Sequence, residues 1–347
     1  MGIVDEQQSA SRAARAPGPD GLCEATLLRA LPEIFPAGLV AISPDARFGL
    51  SGGGSGPARL WDLTTGTLLR ELGVDGAGCS GLWTDGRKVV ASGGGKILQA
   101  TMKGWVSRFD TRNPQNLHPL SRGPHHDRST GASSDRGAVV VGAGGRFALG
   151  ICMDRALRMW DLTDGACVRT LRGHAVWPNA VWLALDARRA VSAGADGEIR
   201  VWDLDGGTCA VFPHPDSWVD SVCLSADGRR VLVGGDHRGH TLWLIDAVTG
   251  EFVRGFEDVR DPASLEDPED RSGEVLAVRL TSDGRFAVSG EDDGRIRIRE
   301  TSTGRCVRTL DGHTEDARGI ALTLDDRFLL SGSSDGTLRL WQLGWGL

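Results

Sequence analysis

Two stretches of the chain carry a histidine, a serine, an aspartate and a tryptophan in the same order. In both stretches the aspartate follows the serine by four residues and precedes the tryptophan by six. Histidine, serine and aspartate side chains that meet in a fold can act as base, nucleophile and orienting carboxylate in acyl transfer. The first set is His174, Ser192, Asp196 and Trp202, and the second is His313, Ser331, Asp335 and Trp341.

The same four side chains can also satisfy one another inside a protein core without any chemistry. A serine oxygen accepts a hydrogen bond from an indole N–H, while an imidazole bridges the serine to the aspartate. An arrangement that recurs in one chain is typical of a scaffold element. We therefore interpret both sets as structural networks, and we predict no catalytic residues.

Two other kinds of segment suggest cofactor chemistry at first sight. A histidine-rich loop contains zinc-type ligands, but no fixed spacing or second cluster completes a site. The glycine runs at 51–55 and 92–96 are not followed by a helix with the Lys-Ser/Thr of a phosphate-binding loop. We predict a solvated loop and two turns here, with no metal and no cofactor. The metal candidates are His118, His125, His126 and Asp127.

The elements that must position these residues repeat along the chain. One signal is a short turn in which an arginine follows an aspartate or glycine by two residues, and the other is an aromatic residue followed by an acidic one, with weaker variants. Both signals count seven units with a basic period of about 42 residues. The turn arginines are Arg47, Arg87, Arg146, Arg188, Arg229, Arg285 and Arg327, and the dipeptides begin at Trp61, Phe109, Trp160, Trp202, Ile245, Arg299 and Trp341.

Each unit contains short runs such as FAVSG, IRVW and CVRTL, bounded by Gly, Asp, Ser and Thr. These runs are rich in β-branched or aliphatic residues, and a unit of this length holds four short strands. One four-stranded sheet cannot bury both of its faces, whereas seven sheets arranged radially bury one another and leave only short edges. The sequence therefore predicts an all-β, seven-bladed β-propeller with four-stranded antiparallel blades.

The Trp-Asp dipeptides and the pairs Gly173-His174 and Gly312-His313 resemble the WD-repeat (WD40) propeller family. The resemblance extends over residues 22–343. It implies the propeller fold, and it implies that the two histidine-containing sets are the structural network of that family. Members of the family commonly bind other proteins.

The same resemblance implies that the chain ends together close the ring. The last unit stops soon after its third strand, RLWQL, so its outer strand is missing. The segment from Ala25 to Leu31 resembles the outer strands of other units, and we expect it to complete the last blade. The propeller domain then spans residues 22–347, and residues 1–21 form a flexible tail.

Other units retain only part of the network. Unit six has Ser289 but carries Arg299 in place of the tryptophan, and unit three has Trp160 but carries Gly150 in place of the serine. Units one, two and five retain still less. We therefore expect units four and seven to be the most stable.

Composition narrows the class of partner and the compartment. The formal net charge is −7 and no Lys/Arg cluster forms a basic stripe, which argues against nucleic acid. No apolar run reaches the length of roughly 18–20 residues that spans a membrane. The 7 cysteines form no CxxC pair, so free thiols and a cytoplasmic location are expected.

The extra length of the chain is expected on one face of the disc. The predicted insertions are residues 96–104 between two strands of unit two, residues 113–137 between units two and three, and the acidic residues 257–273 between units five and six. All three emerge opposite the Asp-x-Arg turns, and insertions in repeat proteins tend to mark the binding face. The candidate partner-binding residues on this face are Trp177, Asn179, Trp218, Asp220, Glu274, Asp316 and Arg318.

These features predict a non-catalytic scaffold that binds a protein or peptide on the face with the long loops. Tryptophans give affinity through desolvated area, and the acidic loop would favour a basic partner. A monomeric propeller without nucleic-acid or membrane partners is expected. The alternative is an enzyme or small-ligand-binding propeller with its site at the mouth of the central channel.

Overall fold

The computed structural model describes most of the chain between Cys23 and Trp345, in segments separated by short and long gaps. The predicted tail at 1–21 and the predicted insertions at 113–137 and 257–273 lie outside the described residues. Among the residues described, no helix is long and apolar enough to cross a lipid bilayer. The described ranges are 23–33, 37–53, 57–72, 79–93, 96–101, 104–110, 139–142, 145–152, 154–184, 186–194, 197–213, 219–235, 242–256 and 274–345.

The described strands form seven four-stranded antiparallel sheets, and in six of them the strands follow one another along the chain. Sheet one contains β2 (Leu39–Ile42), β3 (Phe48–Gly52), β4 (Ala58–Asp62) and β5 (Thr67–Leu72). Sheet two contains β6 (Cys79–Thr84), β7 (Lys88–Gly93), β8 (Lys96–Thr101) and β9 (Gly104–Asp110). Sheet three contains β10 (Val139–Val141), β11 (Phe147–Ile151), β12 (Leu157–Asp161) and β13 (Cys167–Leu171).

The second half of the chain repeats this order. Sheet four contains β14 (Pro178–Leu183), β15 (Arg189–Gly194), β16 (Glu198–Asp203) and β17 (Cys209–Pro213). Sheet five contains β18 (Val219–Leu224), β19 (Arg230–Gly235), β20 (Leu242–Asp246) and β21 (Phe252–Phe256). Sheet six contains β22 (Val275–Leu280), β23 (Phe286–Glu291), β24 (Ile296–Glu300) and β25 (Cys306–Leu310). Sheet seven contains β26 (Ala317–Leu322), β27 (Phe328–Ser333), β28 (Thr337–Trp345) and β1 (Cys23–Pro32).

The first strands of the sheets contact one another in chain order, and β26 of the last sheet contacts β2 of the first. Buried aliphatic clusters fill the space between neighbouring sheets, as where Val191 and Val201 of sheet four pack with Val222 of sheet five. Each sheet therefore buries its faces against its neighbours, as expected for radially arranged sheets. The prediction of an all-β propeller with four-stranded antiparallel blades is confirmed.

The expected role of the segment 25–31 is also confirmed. Strand β1 is antiparallel to β28, from Cys23 opposite Trp345 to Pro32 opposite Thr337. The Arg29 guanidinium reaches the neighbouring sheet and donates to the carbonyls of Thr64 and Thr65. The first strand in the sequence thus covers the edge of the last strand, which would otherwise leave unpaired backbone groups.

The six motifs that begin with aspartate lie in the turns between first and second strands, as predicted. In sheet one the Arg47 backbone N–H donates to Asp45 Oδ1 at 3.1 Å, and Ala46 between them has a φ of 54°. In sheet six the Arg285 N–H donates to Asp283 Oδ1 at 2.9 Å. An aspartate that accepts a hydrogen bond two residues ahead stabilises a tight turn. The motif is therefore local turn chemistry.

Sheet two corrects two predictions made for its unit. Residues 96–104 are not an insertion, because β8 occupies 96–101 and Gly104 already begins the fourth strand, β9. The dipeptide that begins at Phe109 lies in that fourth strand. Position 100 takes the place of the tryptophan, because Ala100 pairs with Val89 as Trp61 pairs with Gly49. The short connection between β7 and β8, at residues 94–95, fixes the register of the third strand, and the position of the aromatic-acidic pair does not.

Candidate functional site

The second predicted set of four side chains forms one hydrogen-bonded chain in sheet seven. His313 Nδ1 donates to Asp335 Oδ2 at 2.9 Å, and His313 Nε2 lies 2.8 Å from Ser331 Oγ. The Trp341 Nε1–H donates to the same serine oxygen at 3.0 Å. Because Nδ1 carries the proton, Ser331 donates to Nε2 and accepts from the indole. Thr337 completes the chain by donating to Asp335 Oδ1 at 2.7 Å.

The electrostatics of this network keep the imidazole neutral. Burial lowers the pKa of His313 below its usual value, and the hydrogen bond with Asp335 offsets this only in part. Burial raises the pKa of the Asp335 carboxyl, but hydrogen bonds from Thr337 and His313 outweigh that effect and leave the pKa below its ordinary value. Ser331 is 0% exposed, so no substrate atom can approach its oxygen. The arrangement suits a core network and not a nucleophile.

The first predicted set has the same contacts in sheet four as far as it is described. The Trp202 indole N–H donates to Ser192 Oγ at 2.9 Å, and His174 Nε2 lies 2.7 Å from that oxygen. Asp196 lies outside the described residues. The structure thus brings together His174, Ser192 and Trp202, with the serine on the second strand and the tryptophan on the third, as in sheet seven.

Sheet one contains a related network that the sequence analysis missed. The Trp61 indole N–H donates to Ser51 Oγ at 2.9 Å, as in sheets four and seven. Glu33 occupies the position of the histidine, and it accepts a hydrogen bond from Ser51 and pairs with the buried Arg59. The signal was present in the sequence, because Ser51 precedes Trp61 by the same ten residues that separate Ser331 from Trp341.

Sheet six replaces the neutral network with buried charges. Arg299, in the tryptophan position, donates to Ser289 Oγ at 2.6 Å and lies 3.0 Å from Glu291 Oε1. Arg297 pairs with Glu291 and, at 2.8 Å, with Asp293. Arg299 and Glu291 are 2% and 1% exposed. Each buried charge therefore has an opposite charge beside it, which burial requires.

Sheet three shows what remains when the serine is lost. Trp160 is buried and its Nε1–H has no hydrogen-bond partner among the described residues. A Cβ on Gly150 would lie 2.9 Å from a Val139 methyl and 3.0 Å from the Trp160 ring, so a serine does not fit without movement. Nearby, the two-pronged Arg158 hydrogen bond lowers the pKa of Asp154 to about 2.

The candidate partner-binding residues lie at or next to the starts of first strands in sheets four to seven. Trp177 precedes β14 and is 44% exposed, next to Val176 at 38%. Arg318 pairs with Asp316 and donates to Ser334 Oγ at 2.9 Å, so two of the candidates contact each other directly. Asn179 and Asp220 are part-buried at corresponding positions in β14 and β18, and the part-buried Glu274 precedes β22 as Trp177 precedes β14. Trp218 lies outside the described residues.

The inner strands test the alternative of a site in the central channel. Among the first-strand residues that the structure describes, only Asp220, Arg279 and Arg318 carry charge. These three provide no pair of carboxylates and no nucleophile with a base. Within the described ranges no three His, Cys, Asp or Glu side chains are grouped closely enough to hold a metal ion. The metal candidates at 118–127 lie outside those ranges.

The fold and its internal networks define the class of protein: a β-propeller built from four-stranded blades, with a serine-centred network in sheets one, four, six and seven. A comparison with protein families agrees with this class. The WD40 family profile, described as "WD domain, G-beta repeat", matches residues 165–203, 264–299 and 304–342. The three matched repeats and the propeller arrangement together support membership of the WD-repeat β-propeller family. Two of the matched segments, 165–203 and 304–342, start near the outer strand of one sheet and end in the third strand of the next, so the last repeat leaves sheet seven without an outer strand of its own.

Several fungal proteins are similar to this chain. A nuclear distribution protein PAC1-2 from Uncinocarpus reesii is 28% identical over 198 residues, which cover 56% of this chain and 36% of that protein. A nuclear distribution protein PAC1 from Gibberella zeae is 28% identical over 295 residues, 82% of this chain and 54% of that protein. A nuclear distribution protein nudF from Emericella nidulans is 30% identical over 270 residues, 76% of this chain and 49% of that protein. The chain spans about a third to a half of the length of these curated relatives.

Proposed function

We propose that the chain is a non-catalytic interaction scaffold that binds a protein or peptide on the face that carries the connections between sheets. The observation that carries the proposal is Trp177, a large aromatic side chain that stays 44% exposed at the start of a first strand on that face. An exposed tryptophan beside another apolar residue is typical of a binding anchor. The ion pair of Asp316 and Arg318 supplies a polar contact at the corresponding position of sheet seven.

The face that carries the Asp-x-Arg turns offers less variation for binding, which supports a partner site on the other face. The Asp-x-Arg turns are short and alike, and their aspartates are occupied in holding the turns themselves, as Asp45 and Asp283 are. The turns between third and fourth strands on that face are equally compact, with Asp62 accepting from the Thr64 and Thr65 N–H groups at 2.9 and 3.1 Å. Length varies between the sheets on the other side, where binding loops are expected.

The similarity to nuclear distribution proteins favours the same class of function. The proposal includes a role like that of these relatives, although the chain covers about half or less of the length of most of them. It includes a monomeric propeller of seven blades, one for each four-stranded sheet, closed by β1. It also includes a domain at 22–347 with 1–21 as a flexible tail, a cytoplasmic location, and a basic binding segment in the partner. The charge of the 257–273 loop supports the last point.

The test is affinity capture with the full chain, its double variant Trp177→Ala/Trp218→Ala, and Leu324→Ala as a matched control. Leu324 is 54% exposed in the Asp-x-Arg turn of sheet seven, so its truncation removes exposed apolar surface from the opposite face. We expect the double variant to lose proteins that the wild type and Leu324→Ala both retain. Loss with Leu324→Ala, and retention by the double variant, would place the partner on the wrong face for this proposal.

A further inference from the structure

One cation on the inner wall of the propeller lacks a carboxylate partner among the described residues. Arg279 lies in β22 of sheet six, and its guanidinium carbon sits 4.4 Å from the ring centroid of Trp182 in β14 of sheet four. Sheet five lies between these two sheets, so the Arg279 side chain must cross the inner side of β18. That places the guanidinium at the wall of the central channel, and the Arg279 and Trp182 side chains are both only part-buried.

Within the described part of the chain, no negative charge compensates Arg279. Its Nη1–H donates to the Val278 carbonyl at 2.7 Å, which is a neutral acceptor on its own strand. Burial lowers the pKa of Arg279, and the group that opposes this is the Cys223 thiol, not a carboxylate. Burial raises the pKa of that thiol to about 12, so it stays protonated near neutral pH and provides no negative charge.

Other arginines in the core of this protein show the usual arrangement. Arg59 pairs with Glu33, Arg158 with Asp154, and Arg299 with Glu291. A desolvated charge is retained at a low cost in free energy only when an opposite charge lies beside it. Arg279 departs from this pattern at a place that faces the channel and not a neighbouring sheet.

We propose that Arg279 and Trp182 form a binding site for a small oxyanion of the carboxylate class inside the central channel. The indole holds one face of the guanidinium, and the Val278 carbonyl holds one N–H, so the plane of the group is set before an anion arrives. The remaining N–H groups point along that plane, where a carboxylate can accept two parallel hydrogen bonds. This site does not depend on the proposed partner-binding face, and the two proposals are tested by different experiments.

The first test uses the fluorescence of Trp182, taken as the difference between the full chain and its Trp182→Phe variant. Sodium acetate and inorganic phosphate are titrated separately at constant ionic strength. We expect a saturable change with acetate, and at least about tenfold weaker binding in Arg279→Gln, which is a loss of about 1.4 kcal/mol. Arg318→Gln, which removes the arginine at the other end of a first strand, should leave the acetate titration unchanged.

The second test keeps the proposal falsifiable if Arg279→Gln does not fold. The wild-type chain is treated with phenylglyoxal, which modifies arginines, and the modified peptides are counted by mass spectrometry. Acetate should slow the modification of Arg279 severalfold and leave that of Arg318 unchanged. Saturation by phosphate but not by acetate would overturn the carboxylate assignment, and the absence of both saturation and protection would overturn the site.

Discussion

The substitution Ser331→Ala tests directly whether the histidine-containing networks are structural. The serine oxygen serves two buried partners, His313 Nε2 at 2.8 Å and Trp341 Nε1 at 3.0 Å. An unsatisfied buried group costs about 1–3 kcal/mol, and here water cannot replace the serine, because Ser331 is 0% exposed. Alanine no longer buries a hydroxyl, which offsets part of the loss. We therefore expect the free energy of unfolding to fall by about 1–3 kcal/mol.

Urea unfolding followed by tryptophan fluorescence and circular dichroism measures this change, together with a fall in Tm of a few degrees. The matched control is Ser334→Ala in the turn that follows β27, where the serine accepts from the exposed Arg318. A surface change of this kind should alter the free energy of unfolding by less than about 0.5 kcal/mol. Equal effects of the two substitutions would refute the reasoning. So would covalent labelling of Ser331 in the folded wild type by a fluorophosphonate.

Three further predictions follow from the closure of the ring, the titration of His313 and the acidic loop. Deletion of residues 1–31 should lower Tm sharply, whereas deletion of residues 1–20 should not. Only the longer deletion removes β1 and with it Leu31, which is 3% exposed and contributes about 2 kcal/mol. Equal Tm values for the two deletions would contradict closure. The pKa of His313 is lower in the folded state, so the unfolded state binds more protons and stability is lost as pH falls below about 6.5. His313→Gln should flatten the dependence of Tm on pH between about 5 and 7, and an unchanged slope would exclude this origin. Neutralising the carboxylates of the 257–273 loop should slow association with the partner and reduce the salt dependence of association, while Trp218→Ala should mainly speed dissociation. Stopped-flow kinetics at two ionic strengths would separate these effects. An association rate that changes neither with ionic strength nor with loop neutralisation would contradict the electrostatic part of the proposal.

The parts of the fold that were predictable from sequence are those decided by local chemistry. An aspartate that caps a turn two residues ahead leaves the same mark in nearly every unit, so the seven turns and their flanking strands could be located from the residues alone. The role of 25–31 was predictable for a different reason: the resemblance to WD-repeat propellers implies closure by the chain ends, the last unit lacks an outer strand, and this segment resembles the outer strands of other units. In both cases the deciding contacts lie within one sheet.

The errors arose where pairing and contacts between strands decide the outcome, because residue spacing alone does not encode them. In sheet two the ladder between β7 and β8 sets the register, and it places Ala100 where the spacing of dipeptides had suggested Phe109. Glu33 takes the place of a histidine through contacts with Ser51 and Arg59 on other strands. The meeting of Arg279 with Trp182 depends on how three sheets curve around the channel, and no spacing in the sequence encodes that contact.

The networks around the second-strand serine show why the count of WD-type motifs does not measure the stability of individual blades. Sheets four and seven use a neutral histidine, sheet one uses Glu33 with Arg59, and sheet six uses Arg299 with Glu291. In all four the serine oxygen has a hydrogen-bond partner, so each sheet satisfies the same buried position by different chemistry. Truncating one member of a buried ion pair costs about 3–5 kcal/mol, more than the loss of a neutral hydrogen bond. Substitution of a charged residue in sheet one or sheet six should therefore destabilise the fold more than loss of one neutral hydrogen bond in sheets four or seven. This holds even though sheet six lies partly within a segment that the family profile matches. The order of blade stability that the motifs suggest, with units four and seven the firmest, must accordingly be measured sheet by sheet, by hydrogen exchange of the second strands.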